Sequence, residues 1–242
     1  ALALLLAAAA CTQDDAVLLP EVPEGTPMTF TATGLTPATA TRATVDGDWE
    51  GVTSVAVQIG SEVKEYRVTP SADHLTVTLS SDDPHYWAGG SSVTVSAWCP
   101  YTDGQVSMPA VTVQADQRSD GYAQSDHIGV TEELHYDGGT PTLAFTHRTA
   151  RIVVTVSGST STTVSSVRLT NLSTADGNPG EIIARDAGSG IIYEALVAPQ
   201  SVASGTAFVS ISTTGGKTYV YRMQDNAKWT AGKEYEYAIT IE

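Results

Sequence analysis

The residue types able to do chemistry are present in this chain but dispersed. The five histidines, His74, His85, His127, His135 and His147, fall at no spacing that would place two ligands on one helical turn or cluster them round a metal. The sequence has no Gly-x-Ser-x-Gly elbow, His-Glu-x-x-His pair, phosphate-binding loop or dinucleotide fingerprint. Its nearest approach to a metal motif is Asp46-Gly47-Asp48-Trp49-Glu50-Gly51, which opens like a calcium loop. The twelfth position, where a bidentate glutamate should close the site, is Val57, so the segment reads as a solvated turn. Cys99 has no partner thiol if Cys11 is acylated, and no histidine at a family-specific spacing, so it reads as packing. Tyr86, Trp87, Trp98 and Tyr101 crowd one segment. Exposed in one plane they would stack on sugar rings; buried, they would cap a core. No catalytic residue, metal or cofactor is expected.

The elements that must position these residues read as strands. Gly, Thr, Ser and Val are plentiful and Lys, Met and Gln scarce, a mixture that favours pleated, half-buried surfaces over helices. Apolar and polar residues alternate at Leu75, Val77 and Leu79, at Val93, Val95 and Ala97, at Ile152, Val154 and Val156, and at Tyr235, Tyr237, Ile239 and Ile241. A strand with one buried and one wet face requires that period of two. Pairs such as Asp103-Gly104, Asp137-Gly138 and Gly215-Gly216 supply the turns between them. An all-β chain of this length is expected to form two β-sandwich domains in tandem, at residues 28–139 and 140–242. The split is placed near Gly139, with a strand from Phe145 leading the second domain and Phe145, Ile152 and Val154 turned into its core.

Charge narrows the partners. With 27 acidic and 12 basic residues the net charge is −15 over 242 residues, which repels nucleic acid and anionic headgroups. Hydrophobic residues make up 41%, enough for a core and too many for global disorder.

Residues 1–10 are an apolar run too short to span a bilayer and of the length of a signal-peptide core, so the chain is expected to begin inside a signal peptide. Cys11 directly after Ala8-Ala9-Ala10 resembles the lipobox of bacterial lipoproteins, which makes Cys11 the expected lipidation site. Residues 11–27 then form an acidic tether, and Asp14-Asp15 resembles a surface-export signal.

Three further stretches are similar to a known family when taken in order. The first is Met28-Thr29-Phe30 with Thr41-Arg42-Ala43 and Trp49; the second runs without a break from Leu143-Ala144-Phe145 through Arg151-Ile152-Val153-Val154. The third leads from Tyr193, Pro199 and Gln200 through Phe208 and Tyr219 to Trp229-Thr230-Ala231-Gly232-Lys233-Glu234-Tyr235-Glu236-Tyr237. Together they resemble fimbrillin-like proteins, the type V pilus subunits and relatives of Bacteroidetes-type bacteria. The resemblance implies two transthyretin-like β-sandwich domains in an outer-membrane lipoprotein at the cell surface. It also implies a protease that cuts after an arginine and removes the first strand, leaving a groove for a strand from a neighbouring subunit. Arg42, the first basic residue of the chain, is the expected processing site. Tyr235, Tyr237, Ile239 and Ile241 are the candidate donor strand. The expected partners are other fimbrial subunits, the outer membrane through the lipid, and host or bacterial surface ligands. Termination at Glu242, with no further strand, suggests a tip, anchor or accessory subunit, or a different role within a broad superfamily. A surface glycan-binding lipoprotein is the alternative, and the exposure of the four aromatics discriminates between the two.

Overall fold

The computed structural model describes residues 25–35, 49–88, 92–158, 163–188 and 190–242, so Cys11, Arg42 and the turn residues Asp46, Gly47 and Asp48 lie outside the described residues. Among the described residues, the regular secondary structure is almost all strand. β1 (Phe30–Thr33), β2 (Ser54–Ile59), β3 (Glu62–Pro70), β4 (Val77–Ser80) and β5 (Ser92–Cys99) are followed by a short helix, α1 (Asp120–Gln124). Then come β6 (Ile128–His135), β7 (Thr142–Ala144) and β8 (Thr146–His147). These eight strands form one sheet in the order β7-β1-β4-β3-β2-β5-β6-β8. Its outermost strands, β7 and β8, are separated in sequence only by Phe145, so the sheet is rolled until its ends meet. Inside the roll lie Phe30, Val55, Val57, Tyr66, Leu79, Val95, Leu143 and Phe145.

The β2–β3 hairpin shows how local sequence fixes register. Ile59 faces Glu62 across Gly60-Ser61, and Gly60 takes φ +60, a conformation that costs an L side chain strain. At the neighbouring turn the alternation fails: Leu75 is 46% exposed and lies outside β4. His74 there adopts φ 58, and Ser71 closes the turn on the Thr76 carbonyl, so the pleat begins only at Val77.

The second half comprises β9 (Ala150–Gly158), β10 (Val164–Thr170), β11 (Glu181–Ile183), β12 (Arg185–Asp186) and β13 (Ile192–Val197). It continues with β14 (Gln200–Val202), β15 (Ala207–Thr213), β16 (Thr218–Arg222), β17 (Ala227–Trp229) and β18 (Glu234–Ile241). Two four-stranded sheets, β11-β10-β15-β16 and β12-β13-β9-β18, enclose a second core that includes Ile152, Val154, Val167, Ile211, Phe208 and Trp229. This is a β-sandwich. Ile152 and Val154 face inward as the alternation predicts.

Phe145 does not join them. With Leu143 it is fully buried in the first core, because β7 runs parallel to β1 with Ala32 opposite Leu143, and β8 pairs with β6. The opposite trespass occurs before α1. Val113 packs into the second core, its N–H bonded to the Gly177 carbonyl at 3.2 Å, while Ile183 N–H reaches the Ala115 carbonyl at 2.7 Å. Buried Gln117 continues this ladder with its side chain, donating to the Leu196 carbonyl and accepting from the Leu196 N–H, both at 2.8 Å. A cut at Gly139 is therefore crossed in both directions. Alternation marks a strand, but the sheet that strand joins depends on distant edges needing hydrogen bonds.

Candidate functional site

β1 is short, yet it is an inner strand of the rolled sheet, held between β7 and β4. Phe30, Thr31 and Ala32 pair antiparallel with Leu79, Thr78 and Val77 of β4, and Thr31, Ala32 and Thr33 pair parallel with β7. On the β7 side, Thr31 N–H donates to the Pro141 carbonyl and Phe145 N–H to the Thr33 carbonyl, each at 2.9 Å. Upstream, residues 25–28 run beside residues 85–87, with Gly25 N–H on the Trp87 carbonyl at 3.0 Å and Met28 N–H on the His85 carbonyl at 2.7 Å.

Alternate side chains of this segment fill the roll. Met28, Phe30, Ala32 and Leu35 are buried, and Phe30 lies 5.5 Å from the Tyr66 ring. Beyond them Trp49 and Phe145 meet edge to face at 5.0 Å. Burying Met28, Phe30 and Leu35 stabilises the strand in place by roughly 5–9 kcal/mol, at about 1.5–3 kcal/mol for each large apolar side chain. Close approach is enforced at Gly34, which has φ +100 and whose hypothetical Cβ would lie 2.5 Å from the Phe145 carbonyl oxygen. Removing β1 would leave a slot, not an edge. Its walls would be the unpaired backbones of β4 and β7, and its floor would be Tyr66, Leu79, Leu143 and Phe145.

The exit of β1 meets charge. The His147 ring on β8 has Nδ1 2.8 Å from Asp126 Oδ1 and Nε2 3.4 Å from the Leu35 carbonyl oxygen. Neither this arrangement nor the roles of Tyr66 and Trp49 follow from local sequence, since their partners lie far away along the chain.

The other candidates separate. Tyr235, Tyr237, Ile239 and Ile241 lie in β18, which pairs parallel with β9 from Glu234 opposite Arg151 to Ile241 opposite Gly158. Ile239 and Ile241 are buried there, and the Tyr237 hydroxyl accepts from Trp229 Nε1 at 2.9 Å. β18 is thus taken up in its own sandwich. Of the four clustered aromatics, Trp87 lies in the first core against Tyr136, and Trp98 is buried with its Nε1 donating to Gln105 Oε1 at 2.9 Å. Only Tyr86 and, in part, Tyr101 offer surface. Burial pushes the Cys99 thiol up to about 12, which leaves it protonated and unreactive at neutral pH. His85 and His127 are buried against the Val57 and Thr112 carbonyls, at 3.0 and 2.8 Å. Among the described residues no three His, Cys, Asp or Glu side chains converge as a metal set would.

Comparison with known proteins agrees with the architecture. A family model described as fimbrillin-like matches residues 41–242. No curated protein sequence matches the chain. Among solved structures, a candidate cell adhesion protein of Bacteroides uniformis is similar at TM-score 0.61 and 19% identity, over 89% of this chain and 94% of that one. One from Bacteroides ovatus gives TM-score 0.63 at 15% identity, over 90% and 93%. The tip fimbrial protein Mfa3 of Porphyromonas gingivalis, C-terminally truncated, gives 0.53 at 14% identity, over 91% and 96%. At these identities the likeness is one of fold.

Proposed function

The chain belongs to the fimbrillin-like family, and from that premise we propose that it is a structural or accessory subunit of a bacterial surface fimbria. In this reading it is exported as a lipoprotein acylated at Cys11 and displayed at the outer membrane. Cleavage after Arg42 then frees the segment carrying β1, and a strand from a neighbouring subunit takes its place. On this reading the two cores would be the two tandem domains, with residues 111–117 and 142–147 reaching across between them.

The observation that carries this reading is the position of β1. It is bonded on both sides, filled with alternate apolar side chains, and followed directly by the segment that contains Arg42. An incoming strand would gain two hydrogen-bond ladders and a set of pockets, more than any sheet edge offers. A neighbour's residues 235–241 would serve as donor only after leaving β9, at the expense of that whole ladder and the burial of Ile239 and Ile241. That cost favours a donor strand from elsewhere in a partner subunit. Burial of Trp87 and Trp98 removes the large stacking faces that a glycan platform would need.

Limited digestion with an Arg-specific protease, read by mass spectrometry and size exclusion, tests the mechanism. The first cut should fall after Arg42, and the nicked protein should oligomerise. First cleavage elsewhere, or a nicked monomer that keeps residues 11–42 bound at high concentration, would overturn it. Lipidation has its own test: a Cys11→Ser variant should accumulate as unprocessed precursor, and normal processing of that variant would refute it.

A further inference from the structure

Both ring nitrogens of His147 face acceptors: the Asp126 carboxylate at 2.8 Å and the Leu35 carbonyl at 3.4 Å. A neutral imidazole carries one N–H, so either tautomer turns a lone pair on one of these oxygens. Only the imidazolium donates to both. Leu35 is the last described residue before the segment containing Arg42, and its side chain is buried in the first core. The His147 and Asp126 side chains are 18% and 20% exposed, enough for proton exchange with solvent.

Other ionisable groups border the site. Arg148, next along the chain, places its guanidinium on the Pro109 carbonyl at 2.8 Å. His127 is held on the Thr112 carbonyl, and burial lowers its affinity for a proton. Cys99 lies near Asp126 and stays a thiol. On β6, Glu132 accepts the Ala144 N–H at 3.2 Å, and the Gly232-Lys233 turn passes beside the His147 carbonyl. Asp126 supplies the countercharge in direct contact with the ring.

We propose that His147 is a pH-sensitive pin on the exit of β1: as imidazolium it ties Leu35 to Asp126 and retains the strand, and on losing its proton it lets the strand leave more readily. The proposal rests on the reading that β1 is the element displaced. It makes strand release faster in alkali than in acid, the direction expected when the bound state holds the extra proton.

The test uses protein cleaved after Arg42 and an excess of synthetic peptide matching residues 25–35 as competitor, with release of the cleaved fragment followed at about pH 5.5 and about pH 8. Wild type should release about tenfold faster at the higher pH, because the imidazolium's charge-assisted bond to the Leu35 carbonyl is lost with its proton. Asp126→Asn, which keeps the shape, and His147→Gln should each abolish the difference. The same ratio in both variants, or none in wild type, would overturn the pin. Should the fragment never leave at any pH, the strand-exchange reading fails, and the uncleaved chain still decides on the pin. There the Phe145 amide, bonded to the Thr33 carbonyl, should gain protection from hydrogen exchange in acid, beyond the intrinsic pH effect, in wild type and not in Asp126→Asn. Equal protection in the two proteins would refute it.

Discussion

Truncating Phe30 to alanine should cripple the first core while leaving the second intact. The side chain is fully buried at the start of β1, 5.5 Å from Tyr66, and the strand it opens is pinned by β4 on one side and β7 on the other. With the walls fixed, the cavity cannot collapse, which sets the loss at about 3–5 kcal/mol for Phe→Ala in a rigid site. A domain's whole stability is about 5–15 kcal/mol, so a large fraction would vanish. The same loss should weaken a nicked strand's hold by about two to three and a half orders of magnitude, at about 1.4 kcal/mol per factor of ten. Urea unfolding followed by tryptophan emission reads the effect, because Trp49 stands against Phe145 at the floor of the slot. Thr31→Ala is the control: its side chain points away from the core, and a change within about 0.5 kcal/mol is expected. A loss below about 1 kcal/mol for Phe30→Ala would refute the argument that β1 is integral to the roll.

Gly34→Ala should cost about 1–3 kcal/mol, since the residue has φ +100 and the new methyl would meet the Phe145 carbonyl; an unchanged melting temperature would show that the β1 exit is slack. Ile152→Ala should remove about 2–5 kcal/mol from the sandwich of the second half, read by calorimetry, and a neutral result would place β9 at the surface. Stability should fall in mild acid. Burial lowers the proton affinity of His85 and His127, so from about pH 6.5 downward the unfolded chain takes up protons before the folded one does. Stability is then complete above about pH 6.5 and declines as pH drops toward the lower folded-state values. Melting curves of Asp126→Asn, in which the His147 pair does not contribute, should show this decline and lose part of it in His85→Gln. A melting temperature that rises from about pH 7 to about pH 5 would contradict it.

Much of this protein was legible in its residues because the information is local. Alternation in β9 and β18, and glycine turns such as Gly60-Ser61, depend on neighbours two or three positions away, and they set strand, face and register. The absence of a catalytic motif and the ordered family stretches likewise needed no coordinates. Partnership was not legible. Phe145 alternates as well with one core as with the other; it joined the first because β1 and β6 offered unpaired edges on either side of it. Gln117 reads as an ordinary polar residue until Leu196 presents a free N–H and carbonyl to it. His147 gains its pairing with Asp126 and Leu35 only when the sheet rolls closed. Local spacing marked most of the pleated segments and their apolar sides, with Leu75 the exception. The tertiary structure alone decided which edges meet, because unpaired backbone groups and open apolar faces are satisfied wherever the closed roll brings them together.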